Sequence, residues 1–329
     1  MNPGEFELIE RFFRAPDSQP TGVAGVVLGI GDDAALLEVP PGTELVAAVD
    51  TLVEGRHFVA GSDSRSIGHR ALAVNLSDFA AMGATPAWAT LALTLPESDA
   101  DWLAGFAAGL LGLAREFGVA LVGGDTTRGP LTVSVQLLGH VPRGTALRRS
   151  GALAGDLIAV TGTLGDAGAG LALVQGNPGL AKGAAGTAPA AELIRRFEYP
   201  TPRVAFGLAA RGVASAAMDL SDGLVGDLPK LARASGLAAQ VEIERLPLSH
   251  ALQTLVPAAR ARDWALAAGD DYELLVAVPQ RRHPELAAAA AHLGLPLTQI
   301  GRLQPGDGVR FTLNGEQFSP TRQGYDHFR

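Results

Sequence analysis

Apolar runs that end in acid constrain this chain more than any other feature. "LVAAVD" stops at Asp50, "ALAVNLSD" at Asp78, "ALVGGD" at Asp125, and "AAMDLSD" carries Asp219 and Asp222. Such runs are buried strands or helices, so these carboxylates sit at the ends of core elements and not on a solvated face. Six motifs share the design, an acid beside Gly, Ser or Thr: Asp32-Asp33, Asp50-Thr51, Ser77-Asp78, Gly124-Asp125-Thr126, Asp219-Leu220-Ser221-Asp222 and Gly269-Asp270-Asp271. Any one alone reads as a turn or a helix cap. Gathered without matching basic residues, they repel one another and lose hydration. Hard divalent cations cancel that cost, and Mg²⁺ is typically shared between one or two carboxylates and substrate phosphates. The set predicts a multi-metal phosphate site.

The stretch "VVLGIGDDAALL" offers a competing reading. Gly29-x-Gly31-x-x-Ala34 has the spacing of a turn that seats a dinucleotide pyrophosphate, and Asp50 stands where that motif's later acid belongs. Asp32 and Asp33 spoil the seat, because two carboxylates repel a pyrophosphate unless a cation lies between. There is no G-x-x-x-x-G-K-[ST] run, which excludes a P-loop kinase.

Composition narrows the partners. The net charge is −8 with no basic cluster, so nucleic acid is not expected. Of the basic residues only Lys182 and Lys230 are lysines, so phosphate binding must rest on Arg, backbone N–H groups or metal. With no cysteine, thiolate metal sites and Cys nucleophiles are excluded. Neither a secretory signal nor a membrane span is legible, and a cytoplasmic location is the expectation.

The 329 residues suffice for two domains, divided at "RGTALRRSGALAGD" into 1–149 and 150–329. In the first, "TELVAAVDTL", "AWATLALTLP" and "LTVSVQLLGHV" read as strands, and "VALVGGDTTRG" as a strand entering a Gly turn. Helices are expected from "DSRSIGHRALAVNLSDFAAMGA", capped by Ser64 or Ser66, and from "SDADWLAGFAAGLLGLAREFG", capped by Ser98 and ended at Gly118. The second begins with strand "LIAVTGTLG" and helix "DAGAGLALV", then a mobile run "GNPGLAKGAAGTAPA". "ASAAMDLSDGLVGDLPKLARASG" reads as strand, acidic turn and helix, "WALAAGDDYELLVAVP" as a turn against a strand, and Asn314-Gly315 as a hairpin. The fold class is α/β (α+β): a mixed N-terminal sheet with helices, then a C-terminal α/β domain. His57 reads either as a structural hydrogen bonder or as a ligand for a phosphate-bearing substrate. Arg149 reads either as a surface residue or as a contact to nucleotide phosphates, and Thr126-Thr127-Arg128 fits a structural turn equally well.

"GEFELIERFF", "LGIGDDAALL", "DTLVEGRHF", "ALAVNLSDFAAMGATPAW", "GGDTTRGPL", "RSGALAGD", "DLSDGL", "GDDYELL" and "GYDHF" occur in this order from Gly4 to Phe328. Each is weak alone. The ordered set resembles the thiamine-monophosphate kinase family, in a wider group with aminoimidazole-ribonucleotide synthetase, selenophosphate synthetase and a hydrogenase maturation factor. The resemblance implies ATP-dependent phosphorylation of thiamine monophosphate to thiamine diphosphate in a homodimer paired through the N-terminal domain. It implies that Asp33, Asp50, Asp78, Asp125, Asp219 and Asp222 hold several Mg²⁺ ions. Gly124, Asp125, Arg149 and Ser221 would contact ATP, and His57, Asp270 and Tyr325 would contact thiamine monophosphate. Two departures stand out. Ala48 and Val49 replace the family's usual Ser-Thr before Asp50, and Asp270 replaces its usual Glu, one methylene shorter.

The chemistry expected from the resemblance is direct in-line attack of the acceptor phosphate on ATP. A phosphate oxygen is already deprotonated near neutral pH, so no strong general base is needed. An aspartyl-phosphate route is the alternative. Selenophosphate synthetase usually needs an N-terminal Cys or selenocysteine, which is missing here, and "GEFELIERFF" fits the kinase better than the aminoimidazole enzyme. A nucleotide- and metal-binding module without catalysis is the rival from another class, disfavoured because every acidic motif is intact.

Overall fold

Alternation of apolar and polar residues builds the first sheet. In the computed structural model, which describes residues 7, 9–14, 25–176 and 186–325, strand β6 (Thr132–Pro142) buries Val133, Val135 and Leu137 and turns Ser134 and Gln136 the other way. Most of the run expected to be mobile, 177–185, lies outside the described residues, as do parts of the first and last family motifs. Residues described in Met1–Phe79 and Ala84–Gly144 form one compact unit, and those in Ala80–Gly83 and Thr145–Arg329 the other.

In the first unit, β3 (Thr43–Val53), β6, β4 (Thr85–Leu95) and β5 (Ala120–Arg128) make a four-stranded sheet in that order. β4 and β5 run parallel, joined by helix α2 (Ala100–Glu116), and the other pairs are antiparallel. Helices α1 (Ser64–Ala81) and α2 bury Leu72, Leu76, Phe106 and Leu110 with Leu91, Leu93 and Val135.

The helix starts differ from expectation. Asp99, not Ser98, caps α2, its Oδ1 accepting from Asp101 and Trp102 N–H at 2.9 and 3.1 Å. Asp63, not Ser64 or Ser66, accepts from Arg65 N–H ahead of α1. In both cases a carboxylate, which also favours the positive end of the helix dipole, displaces a neighbouring hydroxyl. β5 runs straight through Gly123-Gly124 to Arg128 instead of turning there. A one-residue slip against β4 at Ala89/Thr90 absorbs the glycines, and a Cβ on Gly124 would lie only 1.9 Å from Leu91 O.

The dinucleotide reading lacks its context. No helix follows Gly31; instead β1 (Val26–Leu28) pairs antiparallel with β2 (Leu36–Leu37), and Asp32-Asp33 lies in the connection between them.

In the second unit a seven-stranded sheet has the order β13-β12-β9-β11-β7-β10-β8. Its strands are β7 (Leu157–Thr161), β8 (Ala216–Asp219), β9 (Ala238–Glu242), β10 (Leu274–Val278), β11 (Leu297–Gln304), β12 (Val309–Leu313) and β13 (Glu316–Phe318). β10 is buried along its whole length between β7 and β8. The Asn314-Gly315 turn joins β12 to β13, both residues at positive φ, as the hairpin signal requires. Helices α3 (Asp166–Val174), α4 (Ala188–Glu198), α7 (His250–Leu255) and α8 (Ala258–Ala267) contribute to a second core around Leu193, Leu252 and Trp264. Helices α5 (Val204–Ala210), α6 (Leu224–Ala234) and α9 (His283–His292) complete the unit. "WALA", expected in a turn, is instead the last turn of α8. No described helix is long and apolar enough to cross a membrane.

Glycines set the crossing of α1 and α2. A Cβ on Gly68 would come 2.1 Å from Phe106 O, and one on Gly109 2.0 Å from Arg65 O. Gly109→Ala should therefore destabilise the protein by about 1–3 kcal/mol. Gly112→Ala, on the same helix with open space around it, should stabilise by about 0.5–1 kcal/mol. Urea-denaturation midpoints of the pair are the check.

Candidate functional site

The acids of the second unit converge through the backbone. β8 and β10 pair out to Asp219 opposite Leu274, and their hydrogen bonding continues past both strand ends. Leu220 N–H donates to Glu273 O at 2.9 Å, Tyr272 N–H to Leu220 O at 3.0 Å, and Asp270 N–H to Ser221 O at 2.9 Å. The Asp219–Asp222 turn and the Gly269–Glu273 turn are thus one hydrogen-bonded unit. Tyr325 joins them, its N–H donating to Asp222 O at 3.2 Å. That contact needs glycine, because a Cβ on Gly324 would sit 2.5 Å from Gly226 Cα. The structure so brings together Asp219, Ser221, Asp222, Asp270 and Tyr325. Asp219 is buried, Ser221, Asp222 and Asp270 half-buried, and Tyr325 exposed.

Asp227, in the first turn of α6, holds the Asp219–Asp222 turn. Its Oδ2 accepts from Ser221 and Asp222 N–H at 3.0 and 2.9 Å, and its Oδ1 from Lys230 Nζ at 2.9 Å. Burial pushes its carboxyl up to about 6 against the opposing pull of Lys230. Lys230 also donates to Asp222 Oδ2 at 2.6 Å.

The Gly269–Glu273 turn is strained. Asp270 (φ 61) and Tyr272 (φ 49) are both left-handed without being glycine. Tyr272 Oη donates to Asp270 Oδ1 at 3.2 Å and so orients the carboxylate. The other two acids of the turn point into the core. Asp271 accepts from Gly165 N–H (2.7 Å) and Ala167 N–H (3.3 Å) at the start of α3. Burial pushes it up to about 8, helped by Asp166 and opposed by those N–H groups and Arg196. Glu273 is fully buried and accepts from Thr161 Oγ1 (2.7 Å), Arg196 Nη2 (2.9 Å) and Arg203 Nε (2.7 Å). Burial alone would raise its carboxyl, yet Arg203 and Arg196 outweigh that and hold it below the usual carboxylate range.

The first unit spreads its acids. Asp50 lies on edge strand β3 in the row of buried Val135, and Asp125 on the opposite edge strand β5 in the row of exposed Ala92. The edges are three strand spacings apart, about 14 Å. Burial raises Asp50 above its ordinary value. Asp33 is exposed, its N–H bonded to Asp32 Oδ1 at 2.8 Å, and Asp78 is half-buried on α1. His57 Nδ1 accepts from Val53 N–H at 3.0 Å, closing the loop after β3. Gly124 lies in β5, and Arg149, in the second unit, is exposed, its carbonyl accepting from Ser235 Oγ.

Among the described residues no three His, Asp or Glu gather closely enough to hold a metal ion. The donor set nevertheless suits a hard cation, since every candidate is a carboxylate. Mg²⁺ seldom takes an all-protein cage and completes its shell with water and phosphate.

Asp227, Lys230, Glu273, Arg196 and Arg203 went unassigned on sequence, and Asp271, counted there among the acids of the metal site, is instead buried against the start of α3. The Asp227/Lys230 pair carried a signal, an acid in a first helical turn with a cation three residues on. Asp271 and Glu273 stood inside "GDDYELL", directly before an apolar strand. Arg196 and Arg203 are far away in sequence and carried no signal.

The chain matches the family of AIR synthase related proteins, its N-terminal domain over residues 31–141 and its C-terminal domain over residues 154–314. It is 46% identical over 326 residues to the thiamine-monophosphate kinase of Salmonella typhimurium, covering 99% of this chain and 98% of that protein. The crystal structure of thiamine-monophosphate kinase from Stenotrophomonas maltophilia K279a is 47% identical, with a TM-score of 0.86, 97% of this chain covered and 99% of the other. A solved AaThiL complexed with AMPPCP and TMP is 32% identical, with a TM-score of 0.76 and coverages of 99% and 97%.

Asp271 gives the second unit a pH dependence. Its folded value lies above its ordinary 3.8, so the stability it contributes is full below that value and lost as pH rises through about 8. Urea midpoints of the wild-type protein should fall between about pH 5 and about pH 9. Asp271→Asn should flatten that fall.

Proposed function

The chain belongs to the thiamine-monophosphate kinases of the AIR synthase related family, and from that membership we infer that it transfers the γ-phosphoryl group of ATP to thiamine monophosphate, giving thiamine diphosphate and ADP. Full-length identity to named kinases carries the reading, and the solved relative complexed with AMPPCP and TMP supports ATP as the donor and thiamine monophosphate as the acceptor. The convergence of Asp219, Ser221, Asp222, Asp270 and Tyr325 in one hydrogen-bonded unit supports the second unit as the part that completes the nucleotide and acceptor sites.

In this reading Ser221, Gly124, Asp125 and Arg149 contact ATP. His57, Asp270 and Tyr325 contact the acceptor. The Asp270 carboxylate, oriented by Tyr272, favours the cationic thiazolium ring, and the Tyr325 ring covers one face of the heterocycle. Asp33, Asp50, Asp78, Asp125, Asp219 and Asp222 would hold Mg²⁺. Bound there, Mg²⁺ would neutralise the repulsion between two polyanions and polarise phosphoryl oxygens. The acceptor oxygen needs no base, so the residues bind, orient and exclude water. Direct in-line displacement follows as the route.

We place the enzyme in the cytoplasm and as a homodimer paired through the first unit. Strands β4 and β6 turn Leu91, Leu93, Leu95, Val133, Val135 and Leu137 into the core and leave little apolar surface for that pairing. Support comes instead from β3, where Leu45 and Val49 are 57% and 63% exposed.

ADP release should depend on thiamine monophosphate, and with ATP made chiral at the γ-phosphorus the transferred group should invert. Retention, or an aspartyl-phosphate trapped after ATP alone, contradicts the direct route. Asp125→Asn should cost orders of magnitude in turnover without unfolding the chain, since Asp125 is exposed. Tyr325→Ala should raise KM for thiamine monophosphate more than KM for ATP, because it keeps the backbone N–H that ties the tail to Asp222 O. An equal rise in both contradicts the assignment.

A further inference from the structure

Lys230 has no task in the function proposed above. It is one of two lysines in the chain, and its ammonium bridges Asp222 Oδ2 (2.6 Å) and Asp227 Oδ1 (2.9 Å). The two carboxylates are not equivalent. Asp227 is 1% exposed and tied to the turn by Ser221 and Asp222 N–H, so it is a fixed part of the scaffold. Asp222 is 30% exposed, and among the described residues Lys230 is the hydrogen-bond partner of its side chain. An ammonium thus occupies an oxygen that the metal reading assigns to a divalent cation, and two cations on one carboxylate oxygen repel.

We propose that Lys230 is the resident cation of this turn, neutralising Asp222 in the metal-free enzyme and yielding it to the divalent cation while keeping Asp227. The proposal rests on the assignment of Asp222 as a metal ligand. The side chain suits the exchange. A lysine carries a compact charge on a flexible four-carbon stem, Lys230 is 35% exposed, and its contact with Asp227, three residues before it on the same helix, keeps it nearby after release. Two consequences follow. The acid turn stays folded without metal, because Asp222 is never unpaired. Metal entry alone is weakened, because it must displace a cation; the added negative charge of nucleotide phosphates relieves that competition, so metal occupancy becomes linked to ATP.

The test is Mn²⁺ binding to the full chain, read as loss of the free Mn²⁺ electron-spin-resonance signal, with and without a non-hydrolysable ATP analogue. Lys230→Met should bind Mn²⁺ about tenfold more tightly than wild type without nucleotide. The gain in affinity on adding the analogue should shrink. Lys230→Gln, whose amide still donates to the buried Asp227, guards against a folding defect and should shift the same way. Lys230→Arg keeps the charge and should stay near wild type. Unchanged or weaker Mn²⁺ affinity in Lys230→Gln, with circular dichroism intact, overturns the proposal. Asp222→Asn separates the two failures: Mn²⁺ binding equal to wild type removes the ligand assignment and the proposal together. Weakened binding in Asp222→Asn, with Lys230→Met and Lys230→Gln both like wild type, removes the proposal alone.

Discussion

Glu273, a carboxylate with no exposed surface, sits between Arg196 and Arg203, and the acid turns of the second unit depend on that arrangement. Its side chain accepts from Thr161, whose hydroxyl in turn accepts Leu274 N–H at 2.8 Å, fixing the start of β10. Its carbonyl accepts Leu220 N–H, fixing the turn after β8. The left-handed Asp270 and Tyr272 flank Asp271, buried at the start of α3, and Tyr272 adjoins the clasp. Removing one member of such a buried cluster strands the rest, at a cost of about 3–5 kcal/mol. That is enough to hold two strained residues, one of them the half-buried Asp270.

Charge is handled differently in the two units. The second gathers acids and supplies cations from its own chain: two arginines for Glu273, and one lysine for Asp222 and Asp227. The first disperses its acids across a sheet, with Asp50 and Asp125 on opposite edges, and burial raises Asp50. Carboxylates left in this condition suit a ligand that brings both cations and phosphates with it. The proposed ATP and Mg²⁺ meet that requirement.

Much of this was legible in the sequence because it is local. Apolar runs marked β3, β4 and β6 as strands, although β3, expected to be buried and to end at Asp50, is an edge strand that buries only Leu52 and runs on to Val53; Gly118 ended α2; Asn314-Gly315 made its hairpin. The acid turns followed β8 and preceded β10 as their apolar runs implied. What stayed hidden is non-local or stereochemical. Arg196 and Arg203 reach Glu273 across 77 and 70 residues. No spacing rule links them. The Asp99 cap was missed because adjacent Ser98 was an equally good candidate and only backbone geometry chooses between them. Gly123-Gly124 looked like a turn, whereas the parallel ladder to β4 needs a residue without Cβ over Leu91. Within "GDDYELL" three acids looked alike, but backbone direction sends Asp271 and Glu273 into the core and leaves Asp270 half-buried.

The central claim is that carboxylates at the ends of buried elements hold divalent cations against nucleotide phosphates. Anomalous diffraction from crystals grown with Mn²⁺ and a non-hydrolysable ATP analogue tests it most directly. The account predicts Mn²⁺ peaks within bonding distance of both the analogue's phosphates and Asp219 or Asp222 oxygens. Bound analogue with no Mn²⁺ on either carboxylate would contradict it.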